Sequence, residues 1–165
     1  LKPENFMVTI NEQNRPLVKL IDFGLATYIP KDKNSPLTEY VGTPQYAAPE
    51  VVNHDCYDEK VDIWSTGVIL FNMLTGNETL RGERRSELND QIKYKRVNFS
   101  LLENDSMREL VKKMLERDVK MRVSANEALE MIRKIKKERD EMIMIEKKKD
   151  DIKENKNKKD MKICL

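Results

Sequence analysis

Leu17-Val18-Lys19-Leu20-Ile21-Asp22-Phe23-Gly24 runs a β-prone apolar stretch straight into an acid, an aromatic and a glycine. Upstream, Asn5–Ile10 alternates, with Phe6, Val8 and Ile10 on one side, and the polar Asn11-Glu12-Gln13-Asn14-Arg15 separates the two runs. Two short β-prone runs around a polar turn predict a hairpin. Downstream, residues 22–46 show no sustained period and hold three prolines and two glycines, which predicts a loop of 25 residues. A loop of that length inside a compact domain is more often functional than not.

Further along the chain the pattern turns helical. In Val61–Thr75 the residues Val61, Ile63, Trp64, Val68, Ile69, Leu70, Phe71, Met73 and Leu74 cover nearly every direction, so this helix is buried on most sides. Gly76 provides a C-terminal stop. Ser86–Lys95 is weakly amphipathic through Leu88 and Ile92. Ser106–Arg117 carries one stripe of Met107, Leu110, Val111, Met114 and Leu115, with Asp105 or Ser106 as cap and Glu109 completing a capping box. Ser124-Ala125-Asn126-Glu127 reads as a second box, and no breaker follows. The expected fold is mainly α, with one small β-hairpin, a long ordered loop and a charged C-terminal helix.

At 165 residues and 19.4 kDa the chain has room for one domain and a tail. Residues 131–165 hold 13 Lys/Arg against 8 Asp/Glu, while residues 1–130 hold 18 against 21. All five glycines and all six prolines lie in the first part, so residues 1–130 are expected to be globular and 131–165 a charged, helical or frayed extension. The net charge of +2 makes no general case for nucleic acid, whose binding rests on neutralised phosphates. Cys56 and Cys164 are too far apart in sequence to suggest a disulfide scaffold or zinc module. No uninterrupted apolar run exceeds that of Val68–Phe71, so no membrane association is expected. Neither a signal peptide nor an Arg-rich transit segment is read at Leu1, and a cytoplasmic or nuclear location is expected.

Four local patterns occur in one order: Leu1-Lys2-Pro3-Glu4-Asn5, Asp22-Phe23-Gly24, Gly42-Thr43-Pro44-Gln45-Tyr46-Ala47-Ala48-Pro49-Glu50, and Asp62-Ile63-Trp64-Ser65-Thr66-Gly67. Singly each has a plainer reading, since an Asn before a strand or an Asp-Phe-Gly is most often a turn. Together, in this order and strand context, they resemble the C-terminal lobe of a eukaryotic serine/threonine protein kinase, from the catalytic loop onward. Phosphoryl transfer asks a protein mainly to position metal-bound phosphates and neutralise charge. The resemblance therefore implies ATP and Mg2+ as cofactors, and a protein substrate.

The roles it implies fall on particular residues. Asn5 and Asp22, at the ends of the hairpin, supply the hard oxygen donors that magnesium prefers. Lys2 contacts the transferred phosphate, as a mobile point charge suits a moving group. Thr43 bonds the catalytic aspartate and lysine and marks serine/threonine specificity. Glu4 selects basic residues in the substrate, and Tyr46 and Trp64 pack under the substrate platform. Glu50 pairs with Arg122, and Asp62 holds the backbone of the catalytic loop.

Residues 22–50 correspond to the activation segment, and the family's usual phosphorylation position falls on Glu39. A permanent carboxylate there is expected to stand in for part of a phosphate's charge, so the loop is expected to order without modification. Thr38 and Tyr40 remain candidate modification sites, with ordinary loop polarity the plainer account. Glu39 and the Tyr57-Asp58-Glu59-Lys60 run resemble calcium- and calmodulin-dependent kinases.

The family's catalytic aspartate falls just before Leu1, and the upper-lobe motifs would lie upstream of it. This exact chain is therefore expected to be inactive alone, as a piece of a longer kinase. A non-catalytic, kinase-derived protein-binding module is the alternative. Glu78-Thr79-Leu80 stands where the family has Pro-Pro-Phe, a change expected to alter docking of the next helix. The family's closing His-Pro-Trp is absent after Leu129, and the tail holds no paired calcium-loop signature. Met131, Ile135, Met142, Ile145 and Ile152 form a thin stripe. A solvated helix, an autoinhibitory or calmodulin-binding segment, and a short coiled coil all fit it. His54 sits in a polar loop, with no catalytic part expected.

Overall fold

The computed structural model describes residues 1–29, 36–80, 82 and 84–163, with side chains as far as residue 149. The readings of Ile152 and Cys164, and the part of the long loop at 30–35, lie outside what is described. Elements follow in the order β1 (Phe6–Ile10), β2 (Pro16–Leu20), α1 (Pro49–Val52), α2 (Lys60–Thr75), α3 (Arg85–Tyr94), α4 (Asp105–Met114) and α5 (Ala125–Ile163), with short 3-10 turns at Pro3–Asn5, Pro44–Tyr46 and Phe99–Leu101. The chain divides into two compact units, Leu1–Ala128 and Leu129–Leu165. The fold is thus mainly α with one two-stranded antiparallel sheet.

The hairpin pairs Phe6 with Leu20, Val8 with Val18 and Ile10 with Pro16. Its closed end is built by Asn11, whose Oδ1 accepts from the backbone N–H of Arg15 at 2.8 Å and of Gln13 at 3.1 Å. Asn14 takes the left-handed conformation there, with φ of 56°, which an Asn tolerates better than most residues. At the open end Ile21 N–H donates to the Asn5 carbonyl at 2.9 Å, extending the ladder by one step.

Helix α2 is the centre of the first unit. Only Asp62, Met73 and Leu74 of its residues are exposed, so the nearly all-round apolar pattern reflects burial by several neighbours. Trp64, Val68 and Phe71 join Ala48 just before α1, Val51 and Val52 of α1, Leu88 and Ile92 of α3, and Val111 and Leu115 in one core. Gly67 lets α2 approach α4: a Cβ added there would lie 2.9 Å from the Cβ of Met114. Gly76, with φ of 67°, ends the helix in the left-handed conformation. The divergent Glu78-Thr79-Leu80 turn is held firmly. Asn72 Oδ1 accepts from the Thr79 N–H at 2.8 Å and from its hydroxyl at 2.6 Å, and Leu80 enters the core.

Helix α4 starts one residue before the expected boundary, and its cap differs from expectation. Asn104, not Asp105 or Ser106, accepts from the Met107 N–H at 2.8 Å, so the anticipated Ser106–Glu109 box does not form. Three cap-competent residues stand in a row, and the turn at Phe99–Leu101 leaves Asn104 with the extended backbone a cap requires. Arginines then fasten the connections. Arg108 donates through Nε to the carbonyls of Phe99 (3.1 Å) and Leu102 (2.9 Å), and Arg117 through Nε to Ile92 (3.0 Å). Burial lowers the Arg117 pKa, with the Glu116 carboxylate opposing that shift.

The second capping box does form: Ser124 N–H donates to Glu127 Oε2 at 2.7 Å and Glu127 N–H donates to Ser124 Oγ at 3.3 Å. The Ser124 N–H, then its hydroxyl, holds the Glu127 carboxyl below its ordinary pKa. A depressed carboxyl stabilises the fold above its unfolded pKa, and that contribution disappears as pH falls through the folded value. Replacing Ser124 with Ala is therefore expected to lower the thermal midpoint by about 2–4 °C near neutral pH, and by less in acid. An unchanged midpoint in differential scanning calorimetry would contradict it. Within the second unit α5 continues to Ile163 and carries i,i+4 ion pairs from Lys134 to Glu138 and from Lys137 to Glu141, with Met142–Ile145 exposed. No helix among the described residues is long and apolar enough to cross a membrane.

Candidate active site

The hairpin register decides the first pair of side chains. Asn5 immediately precedes β1 and Asp22 lies two residues past β2, so antiparallel pairing of Phe6 with Leu20 brings both to the open end. Asn5 Nδ2 donates to Asp22 Oδ2 at 3.1 Å, and Asp22 Oδ1 accepts from the Gly24 N–H at 2.9 Å. That second bond closes an Asx turn and fixes the carboxylate's direction. A cavity of about 470 Å3 opens here, lined among others by Lys2, Asn5, Asp22, Thr43, Tyr46 and Asp62.

The donor set fits magnesium shared with a phosphate ligand. Asp22 offers carboxylate oxygens and Asn5 an amide oxygen, both hard donors. Among the described residues no group of three or more His, Cys, Asp or Glu side chains gathers to hold a metal by itself. Magnesium characteristically binds through one or two carboxylates, waters and substrate phosphates, so a sparse protein contribution is the expected one.

Behind the cavity, Glu50 of α1 and Arg122 form a bidentate pair, with Nη1 to Oε1 at 2.6 Å and Nη2 to Oε2 at 2.9 Å. Glu50 is 5% exposed and Arg122 1%. The remaining guanidinium donors go to carbonyls of Glu116 (2.7 Å), Lys60 (3.0 Å) and Arg117 (3.5 Å), so all five N–H groups are used. Lys60 returns the favour by donating Nζ to the carbonyls of Val119 and Arg122 at 2.8 and 2.7 Å.

The sequence profile described as "Protein kinase domain" matches residues 1–132. The chain belongs to the protein kinase family. It is 37% identical over 134 residues to "Calcium-dependent protein kinase 4" of Plasmodium berghei (strain Anka), covering 79% of this chain and 25% of that protein. It is 41% identical over 136 residues to "Calcium-dependent protein kinase 16" of Oryza sativa subsp. japonica, covering 79% and 24% respectively. "Calcium-dependent protein kinase 29" of Arabidopsis thaliana is 37% identical over 134 residues, with 79% and 24% covered. The chain thus spans about a quarter of the length of these relatives, and by family it is a serine/threonine protein kinase.

Within the kinase domain the other expected site residues take distinct places. Lys2 and Thr43 line one cavity without a hydrogen bond between them. Thr43 leads into the Pro44–Tyr46 turn, whose last carbonyl accepts from the Ser65 hydroxyl of α2 at 2.8 Å. Tyr46 is half-buried beside two carboxylates: burial raises its phenol pKa first, then Glu4 and Glu78. The Asp62 carboxylate lies 3.8 Å from the Leu1 nitrogen, at the start of the loop it is expected to hold. Trp64 is a core residue at 1% exposure. Its ring packs beneath the guanidinium groups of Arg122 (5.2 Å) and Arg117 (5.9 Å), and its buried Nε1 has no hydrogen-bond partner among the described residues.

Glu39 is exposed, and among the described residues no cation lies within ion-pair distance of its carboxylate. Its field is felt at Tyr57, whose phenol pKa is raised first by burial and then by Glu39. No pattern in the sequence points to the contacts of Lys60, Arg85, Asn89 and Arg117, because each acts on a partner far along the chain or on a backbone carbonyl.

Proposed function

We propose that this chain is part of an ATP-dependent serine/threonine protein kinase, moving the γ-phosphoryl group to hydroxyls of protein substrates. The observation that carries the reading is Asn5 bonded to Asp22 at the open end of the hairpin, in a cavity shared with Lys2 and Thr43. Asp22 and Asn5 would hold the Mg2+ of Mg-ATP; that ion, when bound, neutralises phosphate charge as transfer proceeds. Lys2 adds a positive charge beside the same phosphates, and Thr43 orders the catalytic loop. Glu4, next to Tyr46, favours substrates with basic residues through charge complementarity. Relatives bear the name calcium-dependent, and we extend to this chain regulation by a calcium-responsive, calmodulin-like partner acting on the basic tail. The proton acceptor is assigned to the aspartate that the family signature places five residues before Asn5.

The test is to isolate the transcript, express the coding sequence upstream of Leu1 joined to these residues, and measure label transfer from γ-labelled ATP. Transfer to a basic serine peptide, exceeding that to an acidic one, is the expected result, with the 165 residues alone inactive. An upstream sequence without the aspartate, the glycine loop and the strand lysine, and no transfer, would favour the non-catalytic binding module instead.

A further inference from the structure

One set of contacts joins the long loop to α3, and phosphate binding makes no use of it. The Tyr40 hydroxyl donates to Asn89 Oδ1 at 3.1 Å. The Arg85 guanidinium carbon stands 4.2 Å from the centroid of the Tyr40 ring, and the His54 ring meets it edge-on at 5.7 Å and 74°. A cation over one face, an aromatic edge and an amide at the hydroxyl together constrain a phenol in position, tilt and rotation. Three residues upstream, the Leu37 carbonyl accepts from the Tyr57 N–H at 3.0 Å, in an isolated bridge. Glu39 lies between these two attachments and, among the described residues, has no cation within ion-pair distance.

We propose that Tyr40 is a positioning residue for the protein substrate: it clamps the substrate-facing half of the loop to α3, a task otherwise expected of the charge at Glu39. The role in substrate binding rests on the kinase reading above; the clamp itself does not. Tyr40 supplies the bonds, through Arg85, Asn89 and His54, and Glu39 supplies none of them. Among the described residues, this half of the loop is therefore held to α3 by an aromatic anchor.

Hydrogen–deuterium exchange of the 165-residue chain decides the clamp. Tyr40→Ala is expected to speed exchange at the Val41 and Tyr57 amides about tenfold, since a cation–π contact and a hydrogen bond are both lost. Tyr40→Phe, which keeps the ring between Arg85 and His54, should restore much of the protection. Asn89→Leu, which removes only the acceptor, should speed exchange to an intermediate degree, and Glu39→Gln should leave it unchanged. Wild-type exchange in both Tyr40→Ala and Asn89→Leu, or equal acceleration by Glu39→Gln, overturns the proposal. In the chain extended upstream, Tyr40→Ala should raise KM for the peptide with KM for ATP and the thermal midpoint unchanged, and Tyr40→Phe should rescue it. An equal rise in both KM values would refute the positioning role. Absence of any transfer by the wild type, with the exchange pattern intact, would sink the kinase reading and leave the clamp standing.

Discussion

Replacing Arg122 with Leu is expected to lower the stability of the chain by roughly 3–5 kcal/mol, because it strands a buried carboxylate. Glu50 lies at 5% exposure and its two oxygens face the two terminal nitrogens of Arg122 at 2.6 and 2.9 Å. The same substitution removes donors from the carbonyls of Lys60, at the start of α2, and of Glu116 and Arg117, adjacent residues just past α4. Coulomb attraction alone is not the reason for the size of the effect; leaving acceptors buried and unpaired is. The thermal midpoint, followed by circular dichroism, should fall by about 10 °C or more in a chain of this size. The double variant Glu50→Leu/Arg122→Leu should recover part of that loss, since it removes the stranded charge as well. A single variant melting within about 2 °C of wild type would show that the pair contributes little.

The second large effect is on binding. Asp22→Asn should weaken Mg2+-dependent nucleotide binding, and in the upstream-extended chain cut turnover by roughly 10²–10³-fold, the scale seen when one electrostatic stabiliser is removed. The folded state should tolerate the change. Asn can still accept from the Gly24 N–H, which Asp22 Oδ1 now does at 2.9 Å, and the site is exposed. Isothermal titration with Mg2+ and a non-hydrolysable ATP analogue, beside a thermal melt, separates the two. Unchanged Mg2+-dependent affinity would remove Asp22 from the metal-holding role.

How much of this was legible depended on the range of the interaction. The hairpin was, because a period of two and a polar turn are local signals, and the ends of a hairpin meet wherever the register is fixed. Helix α2 was, because an apolar run that goes nearly all the way round has no other stable place. Helix α1, Pro49–Val52, was not: four residues are too few to show a helical period. The cap of α4 was misassigned within a run of three eligible residues, where only the preceding backbone chooses. Glu50 and Arg122, 72 residues apart, came from the motif resemblance; no periodicity links them. Tyr40 and Asn89, 49 apart, had neither a motif nor a period to announce them. A polar residue in a loop reads as solvated until a partner from elsewhere is known.

Asn5 and Asp22 lie at the mouth of the hairpin, while the bend at Asn11–Arg15 lies at its far end. Length is therefore free to vary at one extremity and not along the arms. Residues added to the bend leave the Asn5 and Asp22 side chains opposite each other. Deleting one residue from either arm inverts the in–out alternation on that side and separates them. Evolution can lengthen this hairpin or decorate its tip, but it cannot trim an arm without losing the pairing at the mouth.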